Sequence, residues 1–421
     1  MGNDFPREVS LNTTHLFAQA AESMALNLRI PLSVMNFLEF AIWGSWFVVL
    51  GNYLNGLGFS RKDIGRAYAT MPIGAIVAPM ILGAIADRWF EAQHLMGVLH
   101  LAGGVLLLWM ARLRTPQAFF WVALFYACVY SPTLTLSNTV VFKNVPKSLD
   151  FPEIRVLGTI GWIVAGLSLR LLIKPGEEVN NRPLLLAAAL SFALGVFSFF
   201  LPPAPPTADA AAEIPFVKAL RMFQDPSAAI FLTASFLMTI ALAFYFSFTA
   251  LYLEDGIKVK PNNVGPLMTI GQWVEIIFML TLSWFIREWG MKWVLVLGMS
   301  AWAVRYAIFA ARPPLPLIVI GLALHGICFD FFFAAGMIHT ENIAPADIKA
   351  SAQSLFGVLT YGLGMWIGTE ASGWLNQHYT RETVDPATGT KTRITDWTKF
   401  WLVPCVGAVI AVVFFLIFFR D

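Results

Sequence analysis

The chain has 421 residues, of which 57% are hydrophobic and only 13% are charged. The mean hydropathy is +0.67, and soluble domains usually carry roughly 25% charged residues. This composition excludes an ordinary soluble protein. The net charge of +2, without a basic run, gives no support for nucleic-acid binding.

Apolar runs of about 20 residues recur along the chain, and each is long enough to cross a hydrocarbon layer about 30 Å thick. Because backbone polar groups need partners in lipid, these runs are predicted to be α-helices. About twelve helices are expected, at approximately 30–54, 66–87, 94–113, 118–141, 154–174, 184–202, 228–252, 264–287, 292–312, 315–338, 351–375 and 399–419. The polar tail 1–29 lacks an apolar h-region, so no cleaved signal peptide is expected.

Two polar segments divide the chain. The proline-rich segment 203–227 separates an N-terminal bundle of six helices, 30–202, from a C-terminal bundle of six, 228–421. The segment 376–398 is predicted to lie outside the membrane. Transporters built from two related bundles have this organisation. The predicted fold class is therefore an all-α polytopic membrane protein.

Tryptophans near the predicted helix ends indicate aromatic belts at the membrane surfaces. They are Trp89, Trp109, Trp121, Trp289, Trp293 and Trp397. Lysine and arginine are about equally frequent on the two faces, so the positive-inside rule does not select an orientation.

Four ionisable residues lie deep in predicted helices, namely Glu39, Glu275, Arg305 and Asp330. Each costs roughly 2.5–3.5 kcal/mol on insertion scales. One interpretation is structural, with Arg305 paired to Asp330 as a link between two helices. The other follows from the surplus of acids, because a carboxyl in an apolar setting beside another acid can exchange protons near neutral pH. Glu275 or Asp330 is the preferred proton carrier, with Glu39 as a third candidate.

Two polar faces follow from helical spacing. Gln272 and Glu275 are three residues apart and share one face, which is expected to line a cavity. Arg155, Thr159 and Trp162 also form one stripe, although an arginine in a first turn can instead extend to lipid headgroups.

The segment around Asp330 is rich in phenylalanine. Phe329, Phe331, Phe332 and Phe333 surround the acid, and one or two of these rings could stack on a planar ligand. The histidines and the three cysteines show no metal-ligand spacing, so no metal site is predicted. No nucleotide-binding or hydrolase motif occurs, so neither an enzyme nor an ATP-driven pump is indicated.

Several stretches resemble the nucleoside:proton symporters of the major facilitator superfamily, along almost the whole chain after the tail. They are FLEFAIWGSWFVVLGNYL, GAIADRW, SPTLTLSNT, IRVLGTIGW, QWVEIIF, AWAVRYAIFA, GICFDFFFAAG, SAQS and ITDW. The resemblance implies a twelve-helix facilitator that imports nucleosides with protons by alternating access. It also implies an inner-membrane location, cytoplasmic termini, a monomer and no cofactor.

The same resemblance implies a substrate site between the bundles. Its residues are Arg155, Thr159, Trp162, Gln272, Glu275, Phe329 and Asp330. Glu275, Asp330 and Glu39 are the implied proton-coupling acids, and Asp87 and Arg88 belong to a cytoplasmic hinge.

The chain also departs from the family pattern. Ala243 and Phe246 stand where close relatives have glutamine and asparagine, Phe333 matches an asparagine, and Glu39 matches a neutral amide. The pocket is therefore expected to be more aromatic than in relatives. A carrier for another solute, by sugar uptake or drug/proton antiport, and a non-transporting receptor remain alternatives.

Overall fold

The computed structural model describes residues 26–78, 90–144, 151–206, 215–345, 348–384 and 391–420. These residues form twelve long helical segments, with a short helix at Pro215–Ala219 before the seventh. The segments are α1 Leu26–Gly56, α2 Arg61–Ala78, α3 Ala92–Met110, α4 Pro116–Asn144, α5 Phe151–Leu172, α6 Arg182–Ser198, α7 Pro226–Gly256, α8 Pro261–Trp289, α9 Met291–Ala311, α10 Leu315–Ile343, α11 349–378 and α12 Trp397–Phe418. The prediction of about twelve helices is confirmed.

Helices α1–α6 form an N-terminal bundle and α7–α12 a C-terminal bundle. Within the bundles α1 packs on α5, α3 on α6 and α9 on α12, whereas α2 packs on α11 across the boundary. Nine of the described segments are long and apolar enough to span a bilayer. The predicted division at 203–227 stays a prediction, and Asp87 and Arg88 lie outside the described residues.

Glycines bring α1 and α5 into close contact. A Cβ atom on Gly161 would overlap the carbonyl oxygen of Phe37 and lie 2.9 Å from its carbonyl carbon. A Cβ atom on Gly158 would lie 2.6 Å from the ring of Phe40. Small residues allow membrane helices to approach at backbone distance, and this crossing fixes the position of α5.

Replacing Gly161 with alanine is expected to destabilise the protein by about 1–3 kcal/mol, because the overlap is with backbone atoms that cannot rotate away. The measurement is thermal unfolding in detergent. Gly407→Ala is the matched control, since a Cβ atom there would meet nothing within 4 Å. Equal unfolding temperatures for the two variants would contradict the packing argument.

The two bundles are joined on the face where α1 and α7 end. The side-chain amide of Asn52 donates to the carbonyl oxygen of Ala250 at 3.2 Å and to the Glu254 carboxylate at 2.5 Å. Arg61 forms an ion pair with Asp255 at 3.1 Å. The opposite face carries the starts of α1 and α7, and there the carbonyl oxygen of Arg420, near the end of the chain, accepts a hydrogen bond from Ser227. The described polar contacts therefore close the face away from the chain termini.

The polar segment between α11 and α12 is a β-hairpin, which the sequence did not predict. Strands β1 Thr380–Val384 and β2 Lys391–Thr395 pair antiparallel, with Thr380 opposite Thr395. Arg393 donates to the carbonyl oxygen of Phe59 at 2.7 Å, so the hairpin reaches across to the α1–α2 loop. Asp396 accepts from the Lys399 N–H at the start of α12, and this bond lowers the pKa of the Asp396 carboxyl.

The aromatic-belt prediction is only partly right. Trp109, Trp121, Trp289 and Trp293 are exposed as it requires. Trp397 is instead 2% exposed, with its ring 5.6 Å from that of Phe400 and 5.4 Å from that of Tyr252. It therefore packs inside the C-terminal bundle. Trp89 lies outside the described residues.

Candidate substrate site

Three predicted residues lie along one side of α5. Arg155, Thr159 and Trp162 are each half-buried. The guanidinium carbon of Arg155 lies 3.9 Å from the ring centre of Phe40 in α1. Trp162 meets Trp43 edge-on, with 5.4 Å between ring centroids. A cation over an aromatic face is electrostatically attracted to it, so α1 holds the Arg155 guanidinium inside the protein.

Gln272 and Glu275 lie where α10 crosses α8. The crossing is close because a Cβ atom on Gly326 would lie 2.6 Å from the backbone nitrogen of Glu275. Gln272 is 8% exposed, and its amide oxygen has no hydrogen-bond partner among the described residues. A buried acceptor without a donor costs about 1–3 kcal/mol. A ligand hydroxyl or N–H group would remove this cost.

Asp330 lies within a π-helical stretch of α10, Phe329–Ala334. It is fully buried, and within the described part of the chain neither carboxylate oxygen accepts a hydrogen bond. Burying a charged carboxylate without a partner is strongly unfavourable, so this group requires a proton or a ligand donor. Phe329 is half-buried beside it, 5.7 Å from the ring of Phe333. Wider π-helical turns occur frequently at functional sites.

The charged groups interact across the boundary between the bundles. Arg155, from the N-terminal bundle, interacts electrostatically with Glu275 of α8 and with Tyr361 of α11. Glu275 in turn interacts with Asp330. One cation and two acids therefore lie on α5, α8 and α10, and α8 packs on both of the other helices. If all three groups were ionised, their charges would sum to −1, which one proton would neutralise.

Glu39 lies elsewhere, inside the N-terminal bundle. Its carboxylate is fully buried, 2.8 Å from the Nε2 atom of His100 in α3, and it accepts a hydrogen bond from Thr133 in α4 at 2.6 Å. The sequence indicated the depth of this acid but not its partners, because His100 is 61 residues away along the chain.

The interpretation of Arg305 as the partner of Asp330 is wrong. Arg305 is fully buried, and its guanidinium carbon lies 4.4 Å from the ring centres of both Tyr245 and Trp302. Its Nε–H donates to the carbonyl oxygen of Gly321 at 3.1 Å. Aromatic faces and a backbone carbonyl therefore surround this cation.

The two α7 positions that depart from the family pattern differ in environment. Ala243 is fully buried, and its methyl group fills the space beside Gly368 of α11, outside the charged region. Phe246 lies at the bundle boundary, 6.0 Å from the rings of both Phe47 and His325. The expectation of a more aromatic pocket thus rests on Phe246.

Sequence reasoning missed Tyr361 and did not assign His325 to the site. Tyr361 is a single polar aromatic residue within the glycine-rich run VLTYGLG, which is weak evidence for a binding residue. His325 stacks on Tyr245 with 4.9 Å between ring centroids, and Gly271 brings α8 against it. A histidine in an apolar helix was the available signal for this residue.

Comparison with known proteins identifies the family. The sequence profile described as "Nucleoside H+ symporter" matches residues 24–421. The chain belongs to this family. The YegT protein of Escherichia coli strain K12 is 38% identical to this family member over 403 residues, which cover 93% of each chain. The nucleoside permease NupG of the same strain is 32% identical over 416 residues, which cover 94% of this chain and 96% of NupG.

Solved structures agree with this membership. A crystal structure of the nucleoside transporter NupG superposes with a TM-score of 0.82 at 32% identity, and covers 94% of this symporter-family chain and 100% of NupG. A D-xylose–proton symporter superposes with a TM-score of 0.67 at 12% identity, which shows a shared fold alone. The protein is a multi-pass membrane protein with the major facilitator fold, and its family consists of transporters.

Proposed function

We propose that the protein imports nucleosides together with protons, by alternating access of one site between its two bundles. The observation that supports this most is the placement of Arg155, Glu275 and Asp330 on α5, α8 and α10, where α8 packs on both of the other helices at the bundle boundary. The residual negative charge there makes closure of the bundles unfavourable until a proton arrives, because charges are costly in a dry interior. Proton binding and closure around a ligand are thereby linked.

The roles of the site residues follow from their chemistry. Gln272 and Thr159 would form hydrogen bonds with the hydroxyl and base edges of a nucleoside. Trp162 or Phe329 would stack on the base, since both rings are half-buried at the site. Glu275 or Asp330 would carry the proton. Arg155 would balance the charge of the acid that has released its proton.

The arrangement of the bundles supports one direction of access. We propose that the protein is a monomer in the inner membrane with both termini in the cytoplasm. The face closed by Asn52, Arg61, Asp255 and the hairpin would then be periplasmic. Import requires these contacts to break, so that a nucleoside enters from that side, and to re-form before its release inside.

Uptake of radiolabelled uridine into vesicles that contain the purified protein tests this proposal. An inward proton gradient is expected to drive accumulation, and unlabelled uridine is expected to compete. Uptake that is equal with and without the gradient would contradict symport. Uptake of a labelled sugar or efflux of a drug, without nucleoside uptake, would favour another carrier function, and ligand binding without flux would favour a receptor.

A further inference from the structure

A buried polar cluster in the N-terminal bundle lies behind the proposed binding face. Glu39 of α1 is 0% exposed and His100 of α3 is 1% exposed. One carboxylate oxygen lies 2.8 Å from His100 Nε2, and the other accepts a hydrogen bond from Thr133 of α4. Both oxygens therefore have protein partners, unlike those of Asp330.

Polar groups from the neighbouring helices complete the cluster. The hydroxyl of Tyr130 in α4 donates to the backbone carbonyl oxygen of Glu39 at 2.8 Å. Ser191 of α6 donates to the carbonyl oxygen of His100 at 2.8 Å, and its hydroxyl oxygen lies 3.5 Å from the Nδ1 atom of that ring. Tyr126 stacks on Tyr130 with 5.5 Å between ring centroids. Three helices thus meet at the carboxylate, and α6 joins the cluster through His100.

The residues that follow Glu39 hold the α5 stripe. Phe40, the next residue, lies under the Arg155 guanidinium. Trp43, one turn further, contacts Trp162, and its ring is also 6.2 Å from that of Tyr130. Because these side chains project from one rigid turn, a rotation of α1 would displace Arg155 and Trp162 together.

We propose that Glu39, His100 and Thr133 form an anchor that positions the binding face of α5, and that Glu39 does not carry the transported proton. The proposal rests on the proposed function. The Glu39 carboxylate is held on both oxygens by His100 and Thr133 of its own bundle. The Glu39–His100 pair also lies inside the N-terminal bundle, whereas alternating access exposes groups at the boundary between the bundles, where Glu275 and Asp330 lie.

Two substitutions separate an anchor from a proton carrier. Glu39→Gln keeps an acceptor for Thr133 and a polar contact to His100, so gradient-driven uridine accumulation is expected to persist with a KM within about threefold of wild type. Glu39→Ala removes both contacts and is expected to raise the KM about tenfold, because a charge-assisted hydrogen bond contributes about that factor. The uridine accumulation reached at a given proton gradient should be the same in both variants as in wild type.

Ser45→Ala is the matched control. Ser45 lies on the same helix and is fully buried, but its hydroxyl bonds only the carbonyl oxygen of Ile42 in its own helix. The KM of Ser45→Ala for uridine is expected to equal that of wild type. Loss of gradient-driven accumulation in Glu39→Gln, with exchange of labelled for unlabelled uridine intact, would make Glu39 a proton carrier and overturn the proposal. So would a wild-type KM in Glu39→Ala.

The proposal can still be tested if Glu39→Ala does not fold or if the wild-type protein does not transport nucleosides. If Glu39→Ala does not fold, Thr133→Val removes the hydroxyl that bonds Glu39 and the Tyr130 carbonyl oxygen, leaves the His100 contact in place, and should raise the KM several-fold. If the wild-type protein shows no nucleoside uptake, the proposed transport function is wrong. The anchor is then tested by thermal unfolding of Glu39→Ala, His100→Ala and the double variant. Their destabilisations should be strongly non-additive, and additive values would refute the anchor.

Discussion

Replacing Glu275 with glutamine is expected to abolish nucleoside accumulation driven by a proton gradient. Glutamine keeps the shape and hydrogen-bonding capacity of the acid but cannot bind and release a proton. With one proton per nucleoside, a gradient of about one pH unit supports about tenfold accumulation, because one unit corresponds to about 1.4 kcal/mol. The variant should reach an accumulation ratio of about one, while exchange of labelled for unlabelled uridine continues.

Glu288→Gln provides the control, since it makes the same chemical change at an exposed position near the end of the same helix. Asp330→Asn, measured in parallel, decides which of the two interacting acids carries the proton. Accumulation that persists in both site variants would refute the assignment of the coupling proton to this pair. If only Asp330→Asn loses gradient-driven accumulation, the coupling proton is assigned to Asp330 and not to Glu275.

Local periodicity accounts for what the sequence could predict. The ranges of the helices follow from the length of apolar runs, and helical spacing alone groups Gln272 with Glu275 and Arg155 with Trp162. These are properties of single helices, which depend on neighbouring residues only. The same reasoning identified Asp330 as a deep acid, because its depth is set by its place within one apolar run.

Contacts between helices could not be predicted in this way. The sequence shows which charges are buried but not which helices face each other. It therefore left open a pair of Arg305 with Asp330, although aromatic rings surround Arg305. The histidine partner of Glu39 and the electrostatic interaction of Arg155 with Glu275 each join two helices that are distant along the chain. The π-helical turn at Asp330 likewise has no signature in the local apolar pattern.

Replacing Arg155 with alanine is expected to weaken uridine binding about 10–100-fold, because it removes the cation that balances the acids of the site, and interactions of charged groups contribute about 1.5–3 kcal/mol. Lysine should restore only part of this affinity. It keeps the positive charge near Glu275, but it lacks the planar group that stacks on Phe40. The measurement is the concentration dependence of uridine exchange, which does not require a proton gradient. Arg170→Ala is the control, because Arg170 is exposed on the same helix.

The combination of Arg155→Gln with Glu275→Gln tests whether the two groups act as one unit. Removing Arg155 alone leaves two acids without their cation, so protonation becomes more favourable but release of the proton becomes harder. Removing both groups restores the local balance of charge. The uridine exchange rate of the double variant, relative to wild type, should therefore exceed the product of the relative rates of the two single variants. Independent effects would mean that the charges at the bundle boundary do not influence each other, and the link between proton and nucleoside would then need another physical basis.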